Sequence, residues 1–480
     1  MTVSPEGSSD LTRRTVLRRA AAAGLLATPA AGLLAACGEE KPSGTGGTGA
    51  KSAKNPFGIA DDATVEVVIF DGGYGQKYAT DGLTPNFKTA FPKAQVKHTA
   101  TQDITALLQP RFQGGNPPEF VNNSGTKAMD FGALVADGQL ADLTELWDAA
   151  SVDDPSKKVR DTVLPGTVEA GSFNGKPYVL YYVSTAFGLW YSGKLFKDNS
   201  WTPAKSWDEF LALCEKIKAK GITPYAYAGA NAAYYQVRVI LTHAAKVGGE
   251  AILKDIDNLK AGAWKNDAVV KAAEAWGSLA AKGYMDKAHE GLKHTEVQLQ
   301  QNQYKVAMYP SGDWLEGEQA KTTPPDFEYQ LAAIPSLSSS DKLSAAAVQT
   351  AAGEGYFVTA KSKNKAAGLE YMRQMLSKGS ARKFTEITDA HAVTVVSGAA
   401  EGFAFPPGAK SSQAAVKAAG KDVIGNYMFD GWYQDLEKET RAATNELMFG
   451  RINGAAWAER IQKKADAISA DKSVTKYTRS

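Results

Sequence analysis

From Thr64 onward, short β-branched runs alternate with helical periodicities. That alternation confines the chain to α/β architectures, in which helices cover a mostly parallel sheet. TVEVVIFDGG (residues 64–73) is a strand entering a tight Gly-Gly loop. LTPNFKTAFPKAQVKHTAT predicts a helix and a second strand. ITALLQPRFQGGNPPEFVNNSG predicts a helix, a Gly-Pro turn, a short strand at 119–121 and a polar loop at 122–125. Ligands of such sheets meet the loops at the carboxyl ends of strands, which singles out the loops 71–75 and 122–126.

Farther along, FNGKPYVLYYVSTAFGLWYSGKLFK (173–197) predicts a hairpin turn at Asn174-Gly175, then a charge-poor strand pair crossing the middle of the protein. Ser206 and Glu209 form a capping box for the next helix, which closes at Gly221 and leads into a strand carrying Tyr225 and Tyr227. Helices fill 232–287, a strand spans 305–309, and a polar loop carries Trp314. Two last helices join at 450–454. Trp147, Trp207, Trp276 and Trp457 sit in amphipathic helical patterns and Trp190 in an apolar strand, so all five are expected in the core. Arg373 and Arg382 read as surface charges. A body of about 420 residues is more than one hydrophobic core holds, and two domains are expected.

The amino terminus bears on the compartment. TRRTVLRR (12–19) has a twin-arginine pattern, and an Ala-rich apolar run follows to Ala36. It reads as a signal peptide over residues 1–36 rather than a membrane span. LLAAC ends in Cys37 and resembles a bacterial lipobox, which makes Cys37 a lipidation site and a membrane anchor. Residues 37–60 are Gly-, Ser-, Thr- and Lys-rich and read as a flexible tether. GTGGTG within it lacks the flanking strand and helix of a dinucleotide site. Removing residues 1–36 takes four arginines and two acids from 54 basic and 52 acidic side chains and leaves a neutral body. No basic excess points to nucleic acid. Cys214 is the only other cysteine and lies in a helical pattern, and the five histidines are scattered. No metal, nucleophile-elbow or phosphate-loop motif is complete, so no cofactor is expected.

GKPYVLYYVSTAFGLWYSGKLF, SWDEFLALCEKIKAKGITPYAY, KVAMYPSGDW and SKNKAAGLEYMRQMLS, in this order behind lipobox and tether, resemble extracellular solute-binding proteins of carbohydrate ABC importers. The resemblance runs from about residue 61 to the end. With the twin-arginine signal, VVIFDGGYG and GWYQDLEKETRAATNELMFGRI are most similar to actinobacterial binding proteins for N-acetylglucosamine and N,N′-diacetylchitobiose.

The resemblance implies a two-lobe periplasmic-binding-protein-like α/β fold with a sugar cleft between discontinuous lobes, 61–183 with 352–400 and 184–351 with 401–480. Hinge strands are expected at 181–186 and 345–355. It implies sugar platforms at Trp314, Tyr225, Tyr227 and Trp432, with Tyr433 packed behind Trp432. Polar contacts would come from Gly73, Tyr74, Asn122 and Asn123, with Glu354 as a further candidate. Thr185 stands where many relatives carry an acid. The implied partners are a sugar, a permease and the membrane through Cys37, for a monomer without enzymatic activity. The alternatives are a receptor for malto- or cello-type sugars, a peptide or polyamine receptor with a charged pocket, and an anchored glycoside hydrolase. The last would need two carboxylates about 5–10 Å apart, for which Asp313, Glu316 and Glu354 are candidates.

Overall fold

The computed structural model describes residues 49–479 apart from Thr126 and Ala390. The expected signal peptide, the expected lipidation site Cys37 and the expected tether as far as residue 48 lie outside the described residues. The expected opening is present as β1 (Thr64–Phe70), β2 (Gln95–Thr101) and β3 (Phe120–Asn122), with β1 parallel to both neighbours. β4 (Ser172–Phe173) and β5 (Lys176–Pro177) form a hairpin. Its turn residues Asn174 and Gly175 have φ of 52° and 76°, the left-handed pair that matches strand twist in a two-residue turn.

β6 (Leu180–Ser192) is the long charge-poor strand. It is followed by β7 (Thr223–Tyr225), β8 (Val306–Gly312), β9 (Tyr329–Ala332), β10 (Val348–Val358), β11 (Val393–Thr394) and β12 (Val423–Ile424). Among the described residues, ten strands share one sheet, with the main order β2-β1-β3-β10-β6-β8-β7. β9 and β11 attach to β6, and β12 to β10.

Register makes a waist in this sheet. β6 and β10 pair antiparallel from Phe187–Gln349 to Leu180–Tyr356. On the other edge of β10, β12 reaches only Val348 and Gln349, and β3 begins at Tyr356. On the other edge of β6, β11 covers Val183 and Ser184, and β8 begins at Phe187. Thr185, Ala186 and residues 350–354 therefore cross between the two halves as a bare pair of strands. Both expected hinge runs overlap this waist.

Both halves bury apolar side chains, and one buried cluster, holding Val68, Leu108 and Val121 together with Trp207 and Trp276, runs through both. Val65, Val67, Ile69, Phe120, Tyr371 and Phe384 pack on one side. On the other, Trp207, Trp276 and Trp457 pack among the helices Trp207–Lys218, Ala233–Gly248, Asp267–Ala281, Gln434–Met448 and Gly454–Ala470. The Ser206–Glu209 capping box is formed. All five tryptophans expected in the core are buried.

Two expectations change. The body starts before residue 61, because Phe57 and Ile59 are buried and Gly49 donates to the Gly58 carbonyl. Two apolar side chains sufficed to draw the end of the polar tether onto the core. Arg373 is buried rather than on the surface, since its helix Lys365–Met375 packs on all sides. Its guanidinium is satisfied by Glu370 and by the carbonyls of Ala150 and Lys54.

Candidate functional site

Both edges of the waist are filled by carboxylates. β8 delivers Asp313 to the gap between β8 and β11, where Oδ2 accepts from the Ala186 amide at 3.2 Å and the Ser412 hydroxyl at 2.9 Å. The Thr185 hydroxyl lies near it, and burial pushes its carboxyl up to about 6. Glu354 bulges from β10 with a left-handed φ of 56° and accepts from Asn122 Nδ2 at 3.0 Å. Burial raises its pKa too. Tyr74, half-buried on the β1–β3 side, is close enough to Asp313, Glu354 and Glu318 for their charges to add to the burial that raises its own pKa.

Trp314 stands half-buried directly after Asp313. Its Nε1 donates to the Tyr235 hydroxyl at 3.0 Å, and its ring lies 5.3 Å from Phe187 and 5.6 Å from Tyr235. A side chain at Gly312 would meet the indole at 2.2 Å, so the glycine lets the ring fold back over the strand. Arg238 completes the wall, with its Cζ 4.4 Å from the Phe187 ring centroid and 4.8 Å from that of Tyr427. Its Nη2 lies 3.5 Å from Asp430 Oδ2. Tyr181, on β6 before the waist, is near both charges.

The structure thus brings together Trp314, Tyr74, Thr185 and Glu354 from the expected set. Asn122 is buried and orients Glu354 through Nδ2, while its Oδ1 accepts from the Phe70 amide. Gly73 is an exposed loop tip whose φ of 56° favours glycine.

Four other expected contacts stand elsewhere. The Asn123 amide is spent on the Met129 backbone, stapling its own loop. Tyr225 is 0 % exposed, bonded to Gln236 and packed on Phe210 and Trp276. Tyr227 is 0 % exposed, bonded to Asn445 and packed on Phe449. Alternation put both tyrosines on one face of the chain, but that face is the one the helices cover. Trp432 is 5 % exposed among Phe173, Tyr433 and Tyr477. It lines a separate cavity of about 330 Å³ with Asp130, Gly132 and Asp137. Two residues before Trp432, Asp430 joins the Trp314–Arg238 wall. Tyr433 is buried behind Trp432, as expected.

Sequence reasoning missed Tyr235, Arg238 and Asp430. Tyr235 and Arg238 open the helix after β7, on the loop side of that strand, where the carboxyl-end rule would have found them. The wall is also more charged than an Asn- and Ser-lined site. Its charges are largely internally paired, which suits hydroxyl groups that both donate and accept.

Residues 71–382 match the family described as bacterial extracellular solute-binding protein. The chain is 36 % identical over 475 residues to Diacetylchitobiose binding protein NgcE of Streptomyces coelicolor, covering 98 % of each. It is 24 % identical to the Multiple sugar-binding protein of Streptococcus mutans, over 74 % of this chain and 78 % of that one. Among solved structures, a chitin oligosaccharide binding protein superposes with a TM-score of 0.68 at 19 % identity, covering 86 % of this chain and all of the other. At that identity the likeness speaks for the two-lobe fold alone. The chain belongs to the bacterial extracellular solute-binding protein family.

Proposed function

We propose that this chain is the substrate-binding component of a carbohydrate ABC importer, capturing N,N′-diacetylchitobiose, N-acetylglucosamine or both at the waist and delivering them to a permease. The observation that carries the proposal is the half-exposed Trp314 standing between paired charges and waist carboxylates. A sugar ring needs an apolar platform and a rim of fixed donors and acceptors. Trp314 would stack on the ring, with Arg238, Asp430, Asp313, Glu354 and Tyr74 along its hydroxyl rim. The near full-length similarity to a protein named for diacetylchitobiose binding supports the ligand. Export by the twin-arginine route and lipidation of Cys37 would hold a monomer at the outer face of the membrane.

Calorimetry with glucose, maltose, cellobiose, N-acetylglucosamine and chitobiose tests the ligand. Heat from the two acetamido sugars alone is expected, and binding confined to maltose or cellobiose would overturn it. Chitobiose left with the protein should be recovered intact, whereas released monosaccharide would favour a hydrolase.

A further inference from the structure

The turn 425–430 decides how Arg238 is held. Arg238 Nη1 donates to Asn426 Oδ1 at 2.5 Å, Nη2 faces Asp430, and the guanidinium lies over Tyr427. Three side chains of one short turn therefore set the pose of one cleft arginine. The turn has little regular structure of its own, with the two-residue β12 before it and the single helical turn Phe429–Trp432 at its end.

What holds the backbone of that turn is the tail of the chain. Arg479 Nη1 donates to the Asn426 carbonyl at 3.0 Å and to Asp257 Oδ2 at 2.8 Å. Asp257 is fully buried, and its other oxygen accepts from the amides of Met428 at 2.7 Å and Phe429 at 2.9 Å. Arg479 Nη2 lies 3.8 Å from Glu250 Oε1, which accepts from the Gly425 amide at 2.9 Å. Asn258 fixes the Arg479 backbone in turn, accepting from its amide at 2.7 Å and donating to its carbonyl at 3.0 Å. One guanidinium thus reaches Gly425, Asn426, Met428 and Phe429, directly or through one carboxylate. Burial pushes the Asp257 carboxyl up to about 7 against the pull of the Met428 amide and Arg479, so its charge depends on the cation beside it. A buried carboxylate stripped of its cation takes up a proton or turns toward water, and either response weakens its grip on the turn.

We propose that Arg479 is a positioning residue for sugar binding, holding the 425–430 turn through Asn426, Asp257 and Glu250 in the pose that fixes the Arg238 guanidinium at the cleft. This rests on the sugar-binding role proposed for that cleft. Arg479 lies behind the turn and acts on sugar only through it, so its effect must shrink when Arg238 is absent, leaving only what passes through Asp430 of the same turn.

The test is a double-mutant cycle on the full-length protein with chitobiose as the probe, reading calorimetric affinity and melting temperature. Arg479→Ala should weaken binding at least tenfold, and by less than threefold when introduced beside Arg238→Met, the remainder passing through Asp430. Arg479→Lys keeps the charge but reaches fewer acceptors and should fall between. If Arg479→Ala does not fold, Arg479→Lys carries the same comparison. Unchanged affinity in the single variant overturns the proposal, and so does a loss that persists undiminished beside Arg238→Met, the mark of a general structural role. Failure of the unsubstituted protein to bind either chitobiose or N-acetylglucosamine overturns the sugar-binding reading itself and is read before any variant is made.

Discussion

Trp314 is tied to its neighbours by one hydrogen bond and two ring contacts while part of its face stays open. Truncation should therefore cost binding more than folding. Trp314→Ala is expected to weaken chitobiose binding by about 2 kcal/mol, roughly 30-fold, with the melting temperature nearly unchanged; equal affinity by calorimetry would remove Trp314 from the site. Asp313 makes a pH prediction. Its carboxyl is held up to about 6, so between about pH 4 and 6 the folded protein keeps a proton that the unfolded chain has released. The stability it contributes is thus lost as pH rises through that window and stays lost above it. Asp313→Asn should melt higher than the parent above pH 6 and lose that advantage below pH 4; parallel melting curves across the range would refute the shift. Trp314 was implied by the resemblance, as the tryptophan of its G-x-W segment, and the structure leaves part of its face open beside the waist. Tyr225 and Trp432 were misread because which face of an element meets solvent depends on what packs against it, which a local pattern does not contain.

The helix Ala233–Gly248 links the cleft to the waist along one face. Tyr235, Arg238, Thr242 and Lys246 follow at spacings of three and four, which stack them on one side. Tyr235 meets Trp314, Arg238 meets Phe187, and Thr242 Oγ1 bonds Gln349 of β10 at 3.2 Å. The buried Lys246 ammonium donates to the carbonyls of Ile334 and Ala345, anchoring the segment that enters β10. Lys246→Met strands two carbonyls and should destabilise the protein by about 2–4 kcal/mol in urea unfolding. Burial holds the Lys246 amine down to about 8. Above that pH the folded protein has released a proton that the unfolded chain keeps until about 10.4, so the parent gains on the variant as pH rises from 8 to 10. A gap that narrows over that range would contradict the assignment. Elements with local signals, such as the Asn174-Gly175 hairpin and the Ser206–Glu209 box, were legible in the sequence. The Glu354 bulge and the Asp313 bridge to Ala186 were not, because each is defined by partners over a hundred residues away.

For the whole molecule, a solute-binding protein must convert sugar contact into movement of one lobe against the other about the waist. Ligand can shift that equilibrium only by binding one arrangement better than the other. Tyr74 on one lobe and Trp314 on the other flank the same carboxylates, so a sugar touching both favours approach. Seven of the nine tryptophans are buried, leaving Trp201 and Trp314 half-buried. A change in tryptophan emission on closure should therefore arise mainly at Trp314, since Trp201 packs on Phe196, away from the waist. Chitobiose should shift the emission of the parent and of Trp201→Phe, and leave that of Trp314→Phe nearly unmoved. At a hundredfold excess over Kd the same ligand stabilises by about 2.7 kcal/mol, which for a chain of this size raises the melting temperature on the order of 3 °C. A melting shift without an emission change would mean that sugar binds away from Trp314. An emission shift that survives in Trp314→Phe would move the reporter, and with it the closing surface, to another part of the cleft.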